Sequence, residues 1–170
     1  MSAPTPTSSE RVMKDSDFII SKTDTKGKIT YCNEIFMDMA MRSEEELLGK
    51  PHSIIRHPEM PKVVFKLLWD QIQNGKEIFA YVKNLAADGS FYWVYANITP
   101  SYDENNNIIG YYSVRIRPND RALEAVKPLY QKLLSLESSG GVASSQEYLN
   151  NLLEEKGVSY DEFIITIQAS

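Results

Sequence analysis

Between residues 75 and 77 the hydrophobic period of this chain switches from helical to alternating, and that switch narrows the possible folds more than any other feature. Upstream, "MPKVVFKLLWDQIQNG" puts Met60, Val64, Leu67, Leu68 and Ile72 on one helical stripe that stops at Gly75. Downstream, "KEIFAYVKNLAADGSFYWVYANITPSYDENNNIIGYYSVRIRP" reads as three strands, over 78–85, 90–101 and 108–117, turned at "ADG" and "DENNN". Two shorter strands, 18–22 and 28–31, precede the helical stretch and turn at Gly27. Between them and the long helix lie "NEIFMDMA", with Asn33 as its N-cap, and "SEEELLG", with Ser43 and Glu46 as a capping box. Strands joined by hairpins around a helical insertion imply an α+β chain: one five-stranded antiparallel sheet with short helices on one face.

Strand parity divides the sheet's two faces. Tyr92, Val94, Ala96 and Ile98 point one way, with Ala80, Val82 and Asn84 of the preceding strand. The opposite face carries Phe79, Tyr81, Lys83, Phe91, Trp93 and Tyr95. Small residues on the helix side leave space for something other than side chains, and Asn84 would offer an amide there. The aromatic face must be covered by the N-terminal segment, the tail or a second subunit.

The chain divides into a flexible segment over 1–16, a domain over 17–118 and a helical extension over 119–170. In the extension, "SSGGVASS" reads as a flexible linker and Pro128 as a kink or division of the helix before it. The net charge of -5 argues against nucleic acid and anionic membrane as main partners. A lone cysteine, Cys32, cannot form an internal disulfide, and no apolar run is long enough to span a bilayer. The opening residues carry no apolar signal region, so a cytoplasmic protein without membrane insertion is expected.

The densest titratable chemistry is "PHSIIRHPEMP", over 51–61. A solvated, proline-rich turn is one reading. Another is a clamp for a phosphorylated ligand: Arg56 offers a rigid fork of donors, His57 a further donor, and a helix N-terminus follows. His52, His57 and Glu59 match no strong metal-ligand spacing. A haem held by His52 or His57 remains a further option. The chain has no nucleophile elbow, phosphate loop or dinucleotide fingerprint, so no enzyme is expected.

Four stretches together, "ITYCNEIF", "EELLGKPHSIIRHPEMPKVVFKLLWDQIQNGK", "VKNLAADGSFYWVYANITP" and "GYYSVRIRP", resemble a PAS domain. More narrowly, they are similar to the PAS sensor of bacterial aerotaxis receptors, over about residues 17–118. The resemblance implies a PAS fold with FAD between sheet and helices, sensing redox state or oxygen. It implies that Arg56 and His57 hold the FAD, that Glu59 stands where the family commonly has Asp, and that Trp69 and Asn84 lie in the pocket. Asn33 and His52 join them as candidate cofactor-binding residues. The chain departs from the family at Glu77–Ala80, where a Pro-Trp-Ser-Gly stretch is usual. The membrane anchor and signalling coil of such receptors are not in this sequence, which implies a separate signalling partner, a chemotaxis protein for example, and a homodimer. A cofactor-free PAS interaction module is the alternative. No cysteine stands in 52–57, where light-sensing relatives carry their reactive thiol, and Cys32 is expected to be an inert packed residue.

Overall fold

The computed structural model describes residues 2–170. Its sheet has five antiparallel strands in the order β2-β1-β5-β4-β3: β1 Ile19–Thr23, β2 Ile29–Cys32, β3 Ile78–Leu85, β4 Phe91–Tyr102 and β5 Ile108–Ile116. Hairpin turns are built by Asx chemistry. Asp24 Oδ1 accepts from the N–H groups of Lys26 and Lys28, and Asp103 Oδ1 from those of Asn105 and Asn107.

The helical insertion forms as the local signals require. Helix α1, Glu34–Ala40, starts where the Asn33 side chain accepts from the Phe36 N–H; α2, Glu44–Leu47, carries the reciprocal Ser43–Glu46 capping box. A 3-10 turn, His52–Ile55, leads to α3, Lys62–Gln73. Pro61 cannot cap α3 with a side chain. Instead Glu137, far along the chain, accepts from the N–H groups of Lys62 at 2.8 Å and Val63 at 3.1 Å. The helix N-terminus expected to favour a ligand's phosphate is therefore occupied by the protein's own carboxylate.

Cross-strand register confirms the two faces. Ala80 pairs with Ala96, Val82 with Val94 and Asn84 with Tyr92 on the helix side. The other face is closed by the tail, not left open for a second subunit. Helix α4, Asp120–Lys156, lays Val126, Tyr130 and Leu133 against Tyr81 and Trp93, and α5, Tyr160–Ala169, adds Ile164 to the same core. The Tyr130 hydroxyl donates to the Tyr81 carbonyl at 2.6 Å, and the Tyr81 hydroxyl to Gln168 Oε1 at 2.9 Å.

Two tail features differ from expectation. The helix runs on through Pro128 and breaks at Gly141, whose φ of 74° and ψ of -172° suit glycine alone. The serines around it do not loosen the chain, because their hydroxyls bond back to helix carbonyls: Ser138 and Ser139 to Ser135, Ser144 to Gly140. At the other end, residues 7–13 of the segment expected to be flexible run beside β4. Thr7 and Arg11 donate from their backbone to Gly89 and Phe91, Phe91 donates to Ser9, and Met13 is buried.

Candidate functional site

A cavity of about 240 Å³ lies between the inner face of the sheet, α3 and the 51–56 segment. Its sheet wall is Val82 and Asn84 of β3, Ala96 and Ile98 of β4, and Tyr111, Ser113 and Arg115 of β5. Phe65, Leu68, Trp69 and Ile72 of α3 form the opposite wall; Lys26, Gly27, Pro51, His52 and Arg56 stand at the remaining side. Gly27 has a φ of 85°, and a Cβ there would lie 3.1 Å from the Trp69 ring, so glycine lets the indole close over the turn. Trp69 in turn meets the Tyr111 ring edge-on at 5.7 Å.

The polar groups of this apolar cavity are unusual in sign. Arg115 is 2% exposed, and no carboxylate pairs with it among the described residues. Its partners are neutral: Ser21 Oγ at 2.6 Å and His52 Nε2 at 2.9 Å, with the Phe36 ring face 4.7 Å from Cζ. Its Nε has no hydrogen-bond partner. Because Arg115 can only donate, His52 Nε2 must accept, which places the imidazole proton on Nδ1. Burial, reinforced by Arg115 and Arg56, holds His52 uncharged with its pKa pushed down to about 3. Arg56 stands at the cavity's edge with its guanidinium 3.7 Å from the centre of the Phe65 ring, likewise without a carboxylate. Asn84 is 2% exposed, and neither its Nδ2 nor the hydroxyl of facing Tyr92 completes a well-formed hydrogen bond.

Of the seven candidate binding residues, the fold brings Arg56, His52, Trp69 and Asn84 to the cavity and sets His57, Glu59 and Asn33 outside its lining. His57 ties the loop to the sheet edge: its N–H donates to the Lys83 carbonyl, and its Nδ1 accepts from the Glu59 N–H. Burial and nearby Lys83 lower its pKa. Glu59 pairs with Lys83 at 2.8 Å. The Asn33 side chain is wholly engaged in joining β1 to α1, accepting from Ile20 and Phe36 and donating to Phe18. Cys32 is buried away from the cavity, and burial raises its pKa. Among the described residues no three His, Cys, Asp or Glu side chains gather to hold a metal ion, and no helix is long and apolar enough to cross a membrane.

Arg115, Ser113 and Ser21 were not anticipated. Alternation along "GYYSVRIRP" carries the signal, since a strand that presents Tyr111 and Ser113 inward must present Arg115 inward as well.

A cavity flanked by apolar and aromatic side chains, with buried amide and guanidinium donors and an outer cation, suits a flat heteroaromatic ring rich in acceptors that carries an anionic tail. A flavin has that chemistry. A haem suits the site less well, because His52 Nε2 is engaged by Arg115 and His57 lies outside the lining.

Comparison with known proteins bears on the fold and the family. The family model described as PAS fold matches residues 29–115. The chain is 37% identical over 132 residues to the aerotaxis receptor of Escherichia coli, covering 78% of this chain and 26% of that protein. It is 26% identical over 103 residues to the bacterioopsin transcriptional activator of Halobacterium salinarum, covering 61% of this chain and 15% of that one. It thus spans about a quarter or less of these relatives. Among solved structures, a PAS domain from Colwellia psychrerythraea superposes with a TM-score of 0.56 at 21% identity, covering 61% of this chain and 88% of its own. A Light-Oxygen-Voltage domain described with a flavin analogue also gives 0.56, at 23% identity, covering 68% of this chain and 86% of that one. Sheet order, cavity position and family match agree: this chain belongs to the PAS family.

Proposed function

We propose that this PAS domain binds FAD in the cavity and reports redox state or oxygen, inside the cytoplasm, to a separate signalling protein. The observation that carries the reading is the pair of arginines without carboxylates, Arg115 within the cavity and Arg56 at its edge, beside the unsatisfied Asn84 amide. The similarity to an aerotaxis receptor supports it. A cavity of about 240 Å³ has room for a ring system, leaving the charged remainder of a dinucleotide to the side where Lys26 and Arg56 stand. When bound, the flavin supplies reversible electron uptake.

Everything else falls to the chain. Arg56 pairs with the anionic tail. Trp69 and Phe65 exclude water from the ring, and Asn84 donates to an acceptor on it. His57 and Glu59 act indirectly, by holding the 56–60 loop to β3. Asn84 and Lys83 are neighbours on β3 that face opposite sides of the sheet, so a changed bond inside displaces the strand that the tail touches outside.

The test is an absorption spectrum of the purified protein with mass identification of what heat releases, followed by Arg56→Ala. FAD in the parent, and a folded but colourless Arg56→Ala variant, are expected. A parent that stays colourless after FAD is supplied overturns the reading, and stoichiometric flavin in the variant overturns the role of Arg56.

A further inference from the structure

We infer that Arg115 sets how readily the bound ring accepts electrons, acting as a buried, uncancelled positive charge that raises its midpoint potential. The inference rests on the flavin reading and goes beyond it. Three observations carry it. Arg115 is 2% exposed and lines the cavity, so solvent does little to screen it. Its hydrogen-bond partners, Ser21 and His52, are neutral, so nothing local cancels its field. Its Nε is unpartnered, which leaves a donor available to a ligand.

A desolvated cation of this kind opposes folding unless something uses it. Reduction gives it a use. Two electrons from dithionite, which leaves as sulfite, and one proton from water reduce the ring. The proton goes to N5 and one negative charge stays on the ring. Neutral before and anionic after, the ring gains more from Arg115 in the reduced state, and the potential rises. Arg56, at the cavity's edge, carries the weaker influence on the ring and the stronger one on retention.

The test uses the full chain loaded with FAD and titrated with dithionite against a reference dye. Arg115→Gln removes the charge but keeps a donor; Arg115→Lys keeps the charge; Ser21→Asp leaves Arg115 in place and sets a carboxylate against it. Arg115→Gln and Ser21→Asp should each retain FAD and titrate at a lower potential than the parent, with Arg115→Lys close to the parent. Should Arg115→Gln fail to fold, Ser21→Asp decides the matter. Loaded variants that titrate with the parent overturn this inference alone, as does a folded Arg115→Gln protein that comes out empty, which would make Arg115 an anchor. A parent that takes up no FAD overturns the function and this inference together.

Discussion

His52 is held uncharged between a guanidinium and the cavity wall, and its neutrality gives the molecule an acid limit. In the unfolded chain it takes a proton near its ordinary pKa of 6.5; in the folded protein it does so only near 3. Between those values the unfolded state binds the extra proton, so stability falls as pH falls. This one group contributes up to about 1.4 kcal/mol per pH unit. His57, also depressed, acts in the same direction. Melting temperature followed from about pH 7 to about pH 5 should decline, and less steeply in His52→Gln, which cannot take the proton. Equal slopes would show that the ring is solvated. The contrast between Arg56 and Arg115 shows how residues become legible. Arg56 and His52 stood out because proline and charge crowd around them, and Asn84 because parity turned it inward. Arg115 sat in a strand where one charge among apolar neighbours looks like an edge residue until the register with Ala96 places it inside.

At the level of elements, α3 depends on a residue from another helix. Glu137 of α4 accepts from two N–H groups that Pro61 leaves without a side-chain cap, and Ser145 fixes that carboxylate from across the Gly141 break at 2.8 Å. Glu137→Ala should cost about 1–2 kcal/mol, as the loss of an N-cap does, and urea unfolding would measure it. Glu137→Gln keeps an acceptor and should recover part of the loss. The strands could be read from alternation because half of each faces a core: 78–85 is the span observed for β3, and the others shift by a residue or so. The tail could not be read that way. Its Gly-Ser composition signals a linker, whereas its conformation depends on hydroxyl-to-carbonyl bonds within the helix and on the buried Ser145.

Over the whole molecule, the tail converts an open-faced sheet into a three-layered body, with cavity and helices on one side and α4 and α5 on the other. A chain ending at Pro118 would uncover Tyr81 and Trp93, which are 0% and 7% exposed when the tail is in place. It should therefore bind a hydrophobic dye and associate with rising concentration in sedimentation experiments. A truncated chain that stays monomeric and dye-free would mean that the aromatic face tolerates water. The sequence required the aromatic face to be covered but left its cover open, because apolar stripes on short helices specify burial, not a partner. The outer rim of β3 is masked in the same economical way: Asp161 meets the Phe79 N–H, Tyr130 the Tyr81 carbonyl, Met60 the Lys83 N–H and His57 the Lys83 carbonyl. The loop proposed to hold the flavin thus also guards a strand margin against strangers. Whatever loosens that loop bares a template for intermolecular β-pairing, so loss of ligand and the onset of self-aggregation would share one cause.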